Sequence, residues 1–402
     1  MRQVLLFIFL VAVALLAAGV VFFGGASRNF VIAGSAPRAT STAPSAAAAP
    51  ATVNVAIYNA KMLALANEPP RPRCATSIQA DPAATSSSAP PAPLINAVSG
   101  TVTTTTSTMP TTTIASSSPK TSGPRPCAPR SWPVSGLPYP DAGAVLPFAR
   151  IVAYYGNFYS TQMGILGEFP VPEVLARLAS TTAMWAAADT STPVLPALDY
   201  IAVAAQSSAG PDGMYRLRMP TSQIEKAIGM ANQINGLVFL DIQIGLSSVE
   251  TEVPLLAQYL KLPNVELSID PEFAMHNGAR PGTVIGSLDA ADINFATQFL
   301  ANIVRENNLP PKILVIHRFT QPMVTNYKKI MPPGEVQILM DMDGFGTPSN
   351  KLSTYADFIA AEPVQFTGFK LFYKNDVSVG GRLMTPPELL RLTPRPSYIQ
   401  YQ

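Results

Sequence analysis

Residues 236–272 read GLVFLDIQIGLSSVETEVPLLAQYLKLPNVELSIDPE. Leu237 to Ile244 (LVFLDIQI) and Val265 to Asp270 (VELSID) both alternate side chains with the period of two that a β-strand imposes. Ser248 to Leu260, between them, carries the pattern of a helix, so the stretch is a strand–helix–strand unit. The same alternation extends in both directions. Further strand-like runs are Ile151 to Tyr155, Tyr200 to Ala205, Ile313 to Phe319, Val336 to Asp343, Phe366 to Tyr373 and Tyr398 to Gln402. Helical patterns lie around 171–188, 222–235, 289–308, 321–330, 354–361 and 387–392. Ser222 with Glu225 and Ser247 with Glu250 have capping-box spacing, and Gly236 stands where a helix end takes a left-handed residue. Eight strands with intervening helices in some 250 residues predict an α/β fold, a (β/α)8 TIM barrel closed by its last strand at the C-terminus. A doubly wound open sheet is the alternative, but no G-x-G-x-x-G or Walker-type loop follows the first strand.

The preceding chain has a different character. Of the 40 prolines, 19 fall between Val31 and Pro147 among Ala, Ser and Thr, too little apolar bulk to offset chain entropy. Val4 to Phe23 is a run of 20 residues without a charge, long enough to cross a bilayer. The expected organisation is a transmembrane signal-anchor at 1–30, a disordered stalk at 31–147 and the barrel at 148–402. The barrel is then extracytoplasmic on a single-pass cell-membrane anchor, or secreted if cleavage follows Ala26. The two cysteines, Cys74 and Cys127, are expected to pair in an oxidising compartment, with two independent thiols as the alternative. Of 27 basic and 25 acidic side chains, 9 and 3 lie in residues 1–147, leaving 18 and 22 in the barrel. An acidic domain without a Lys/Arg stripe excludes nucleic acid as partner, since phosphate neutralisation supplies most of that affinity.

Barrel enzymes work at the C-terminal ends of their strands, and strand parity says which side chains point inward there. Val238, Leu240, Ile242 and Ile244 form the outward set of the third strand, leaving Phe239, Asp241 and Gln243 inside. By the same rule the fourth strand offers Ser268, Asp270 and Glu272, the fifth His317, and the sixth Leu339, Asp341 and Asp343. The second strand offers Gln206, the seventh Lys370 and Phe372 with Lys374 beyond them, and the eighth Tyr398, Gln400 and Gln402; the Tyr154-Tyr155 pair of the first strand is either packing or an aromatic surface for a sugar face. Carboxylates gathered in this way either divide acid and stabiliser roles in glycoside cleavage or bind a hard cation. The D-x-E spacing of Asp270 and Glu272 favours the first use, because both side chains point the same way from one strand with no third ligand in the motif, and like-charge proximity would keep one of them protonated. No metal and no cofactor is expected.

Leu267 to Glu272 (LSIDPE) resembles the end of the strand-4 motif of glycoside hydrolase family 18, the chitinase-like barrels. IVAYYG resembles that family's opening strand, and Met340 to Asp343 its strand-6 Met-x-Tyr-Asp. The resemblance implies Glu272 as acid, Asp270 as its partner and Asp343 at the strand-6 Asp position. Ser268 stands where that family has another acid, Pro271 where it has an aromatic, and strand 8 lacks its tryptophan. GPDGMYRLRMP, LDIQIG, SIDPEF, IHRF, GFKLFYKND and YIQYQ resemble a group of uncharacterised secreted or membrane-anchored bacterial barrel proteins, which implies an envelope location and no particular reaction.

The expected function is an envelope-facing glycoside hydrolase-like barrel acting on a glycan or cell-envelope polymer. Glu272, Asp270 and Asp343 are its catalytic set, and Tyr155, Gln206, Asp241, Gln243, His317, Asp341, Lys370 and Gln400 bind substrate. The alternatives are a non-catalytic glycan-binding or surface-interaction barrel and a divalent-metal hydrolase using Asp241, Asp270, Glu272 and Asp343.

Overall fold

The computed structural model describes residues 52–68 and 131–402. The expected anchor, most of the expected stalk and both cysteines lie outside the described residues. Eight strands run β1 (Arg150–Gly156), β2 (Val194–Ala205), β3 (Leu237–Ile242), β4 (Val265–Ile269), β5 (Lys312–Arg318), β6 (Val336–Met342), β7 (Phe366–Leu371) and β8 (Tyr398–Tyr401). Each pairs in parallel with the next, and β8 and β2 both pair with β1, which closes the ring. The fold is the (β/α)8 TIM barrel that the alternation predicts.

The parity reading holds because both faces of a barrel strand are buried against different neighbours. Val238, Leu240, Ile242, Leu267, Ile269, Leu314, Ile316, Ile338, Met340 and Met342 pack outward with the helix layer. Ile151, Ala153, Ala197, Phe239, Ile313, Val315, Leu339, Phe366 and Tyr398 pack inward as a separate core. The main outer helices after α1 (Val55–Ala66) are α2 (Val171–Ala188), α3 (Thr221–Gln233), α4 (Ala290–Asn307) and α5 (Pro348–Thr354), the last continuing as a π-helical turn over Tyr355–Ala360. Val249 to Leu260 is broken by a 3-10 turn containing Pro254, and 321–330 forms two 3-10 turns instead of a helix.

Helix ends differ from the expected signals. Pro220 caps α3 with no side-chain bond, and Ser248, not Ser247, accepts the backbone N–H of Thr251. The capping boxes are instead Asp289 with Asp292 and Thr385 with Glu388. Asn235 is the left-handed residue after α3, while Gly236 is needed because a Cβ there would lie 2.6 Å from the Pro196 carbonyl oxygen.

Two pieces of the expected stalk belong to the domain. In α1, Asn54 caps the first turn and Tyr58 and Met62 enter the inner core beside Leu146, Ile151 and Phe239. Leu146 is tied across the same end of the barrel by two hydrogen bonds with the Gln337 side chain, at 3.0 and 2.6 Å. Asn67 and Leu65 bind the approach to β8, through Leu392, Thr393 and Arg395. The end where the strands begin is thus stoppered by residues drawn from 53–67 and 145–148, and the domain starts well before residue 148. Reading Pro and Ala content as stalk missed this because α1 (VAIYNAKMLALA) is alanine-rich and its few large side chains are the ones that reach the core. Tyr58→Ala is expected to cost about 3 kcal/mol, the usual loss for a buried aromatic, or roughly 6–12 °C in Tm for a domain of this size, read by thermal unfolding.

Candidate functional site

At the opposite end, the inward residues turn from apolar to ionisable within one turn of each strand. Tyr155 on β1 donates its hydroxyl proton to Asp241 Oδ2 on β3 at 2.9 Å and accepts from Gln243 Nε2 at 3.2 Å. His317 on β5 lies fully buried, with Nε2 3.0 Å from Ser268 Oγ and Nδ1 3.2 and 3.4 Å from Asp341 Oδ2 and Asp343 Oδ2. Lys370 on β7 pairs with Asp343 at 3.0 Å and lies 3.8 Å from the Tyr155 ring centroid. Gln400 and Tyr398 on β8 both donate to Asp199 Oδ2 at 2.7 Å. Gly368 makes room for this layer, because a Cβ there would collide with the Asp341 carboxyl.

Asp270 ends β4 and accepts the Glu272 N–H at 3.0 Å, which fixes the 3-10 turn Pro271–Phe273 and turns Glu272 to the rim. Glu272 is half-buried and Asp343 is 9% exposed, whereas Asp199, Asp241, His317 and Asp341 are sealed beneath them. The loop after Asp343 is clamped by the buried Lys351–Asp376 pair, with Asp376 also accepting the N–H groups of Gly346 and Phe372. Phe345, 40% exposed, meets the Phe372 ring edge-on at 6.0 Å and so lines the rim beside Asp343.

Burial dominates the electrostatics. It pushes the carboxyls of Asp199, Asp270 and Asp341 up to about 7, and those of Asp241 and Glu272 well above the ordinary carboxylate range. At Glu272 the charges of Asp270 and Asp343 add to that effect. Burial lowers His317 and so favours its neutral ring, against the pull of Asp343 and Asp270. Burial opposes the Lys370 ammonium too, but Asp343, Asp270 and Asp341 outweigh it and hold the cation.

The structure therefore gathers Tyr155, Asp241, Gln243, Asp270, Glu272, His317, Asp341, Asp343, Lys370 and Gln400 at one barrel end. It does not bring Gln206 there. The register of β2 against β3 shifts between Ile201 and Val203, and the end of β2 is diverted into pairing with the antiparallel strand Arg216–Arg218. Gln206 Nε2 then bonds the carbonyls of Ala204 and Ala205, its own strand. Lys374 also leaves the interior, pairing with Glu168 at the surface. The side chain that β2 does supply is Asp199, which lies before the expected run from Tyr200 and, across the register shift, on the opposite parity to Gln206. Among the described residues no three His, Cys, Asp or Glu side chains are arranged to hold a metal ion.

No protein-family model and no curated protein matches the chain. Solved structures similar to it include Thermotoga maritima Cel5A in complex with cellobiose, at 9% identity, 63% of this chain, 88% of that chain and a TM-score of 0.36. A GH18 chitinase from Pseudoalteromonas aurantia follows at 12% identity, 63% and 93% coverage and TM-score 0.33. Burkholderia cenocepacia dihydropteroate synthase is similar to the same degree, at 9% identity, 64% and 86% coverage and TM-score 0.30. Likeness at this level carries no chemistry, and the barrel stands on its own strand pairing.

Two outcomes follow from the site's charges. The folded state holds protons on Asp199, Asp270 and Asp341 up to about pH 7, whereas unfolded aspartates release them near 3.8. Their stabilising contribution is complete below the unfolded value and disappears as pH rises through about 7, so Tm is expected to be higher at pH 5 than at pH 8 by calorimetry. Lys370→Met strands Asp343 inside the barrel mouth and is expected to cost about 3–5 kcal/mol in denaturant unfolding at pH 7.

Proposed function

We propose that the barrel mouth cleaves a glycosidic bond in a cell-envelope glycan, with Glu272 as general acid. What supports this reading is the state of Glu272: a carboxyl at the rim, accepting no hydrogen bond from the described residues and held protonated by burial and by Asp270 and Asp343. A neutral carboxylic acid facing the entrance is what a leaving oxygen needs. In this mechanism the Glu272 proton passes to the bridging oxygen as the C–O bond breaks. Asp343 stabilises the positive charge that develops on the sugar, joined by Asp270 as it ionises at about pH 7, and an entering water gives its hydroxyl to the sugar carbon and its proton back to the acid. Tyr155, Gln243 and Lys370 position the sugar, and Phe345 offers an aromatic face at the rim. Asp241, Asp341 and Gln400 act one layer down. The 20-residue apolar run from Val4 to Phe23 supports an extracytoplasmic barrel on a membrane anchor; among the described residues no helix is long and apolar enough to cross a membrane.

A non-catalytic glycan-binding barrel is the second reading, favoured by the sealing of Asp199, Asp241, His317 and Asp341, which leaves few ionisable groups for a substrate to touch. Release of reducing ends from bacterial cell-wall and storage glycans by the full chain and its Glu272→Gln variant separates the two. Expected are a loss of about 10²–10⁴-fold in the variant at unchanged Tm, and a native rate that falls on the alkaline side as Glu272 loses its proton. No product from either protein, with saturable binding to the same glycans, establishes the binding barrel instead.

A further inference from the structure

His317 Nδ1 and both carboxyl oxygens of Asp341 are buried without a hydrogen-bond partner, yet Nδ1 and Asp341 Oδ2 lie 3.2 Å apart. Buried polar atoms are almost always satisfied, and a proton placed between these two satisfies one atom on each side. The ring's other nitrogen is already committed to Ser268 Oγ at 3.0 Å, a hydroxyl that can donate or accept. Two arrangements are open. In one, protonated Asp341 donates to Nδ1 and the ring donates from Nε2 to Ser268. In the other, Asp341 is ionised, the ring carries its proton on Nδ1, and Ser268 donates to Nε2. They differ by a single proton and opposite tautomers of a neutral ring.

We propose that Asp341 is a positioning residue that sets the tautomer of His317, and through it the hydrogen bonding of Asp343 at the mouth. Asp343 Oδ2 lies 3.4 Å from the same Nδ1 and 3.0 Å from Lys370 Nζ. While Asp341 holds its proton, Nδ1 is an acceptor and Asp343 is served by Lys370 alone. Once Asp341 ionises, Nδ1–H points at both sixth-strand carboxylates, and Asp343 gains a second donor. The groups facing the ring are Tyr155 from β1, Asp241 from β3 at 3.9 Å from Nε2, Ser268 and Asp270 from β4, Asp341 and Asp343 from β6 and Lys370 from β7. Burial disfavours a cationic ring among them, and it places the Asp341 proton loss at about 7. Gly368 is part of the device, since any side chain there would displace the Asp341 carboxyl from His317. The switch does not require that the mouth hydrolyse a glycan.

The chain has two histidines, and His276 is a half-exposed loop residue, so His276→Gln leaves one ring to observe. The measurement is 15N spectroscopy of the histidine-labelled full chain from pH 5 to 9. The expected result is an Nε2-protonated neutral ring at pH 5 that converts to the Nδ1-protonated neutral form with a midpoint near 7. In Asp341→Asn, whose amide N–H donates to Nδ1 at every pH, the ring keeps the Nε2-protonated form throughout. A native ring that holds one tautomer across the range, or titrates as a cation, overturns the proposal, as does an Asn variant that still converts. Should the variant not fold, a native ring that shows no tautomer change near pH 7 still overturns the proposal.

Discussion

Six carboxyl groups on four strands converge inside one end of a closed barrel, and Lys370 pairs directly with one of them, Asp343. A set of charged acids there would be untenable, because desolvation and mutual repulsion both oppose ionisation. The arrangement survives by keeping most of these groups neutral. Asp199 is held by two donors from β8, Asp241 by a tyrosine hydroxyl, and Asp343 by the lysine. Burial favours the protonated form of Asp199, Asp241, Asp270, Glu272 and Asp341. Acidic character at the rim is thus a consequence of how the layer below is satisfied, and Glu272 inherits it from position rather than from a dedicated partner.

The two halves of the barrel interior do different work. Near the strand starts, Ile151, Ala153, Phe239, Ile313, Val315 and Leu339 fill the interior with apolar packing, and α1 closes it. Higher up, that packing gives way to polar groups, and the interior can accept them only because Gly368 withholds a side chain and Tyr155 lies against both Lys370 and His317. The rigid lower half holds the strand ends in place, and the strand ends hold the acids.

Much of this was legible in the sequence for a physical reason. A barrel strand is buried on both faces, so a residue that is polar and flanked by large aliphatics has to point inward. Asp241, between Leu240 and Ile242, and Asp341, between Met340 and Met342, obey this, and Asp270, His317, Asp343 and Lys370 follow from the alternation of their strands. Asp199 is not legible because it precedes the apolar run that starts at Tyr200, and it and Gln206 lie on either side of a register shift that alternation does not reveal. The contribution of α1 was masked by its neighbours in sequence, whose proline and alanine content sets the average for a segment in which twelve residues behave differently.

The position of α1 in the chain bears on how the protein comes to be folded. Tyr58 and Met62 pack in one cluster with Phe366 and Tyr398, residues more than 300 positions away. Contacts of such long separation are the costliest to close and are made after local ones. The helix is synthesised before every strand of the barrel, yet its seat exists only when the last strand has joined the first. During synthesis, then, the earliest piece of the domain waits for the latest, and its apolar side chains are exposed to water for the whole of that interval.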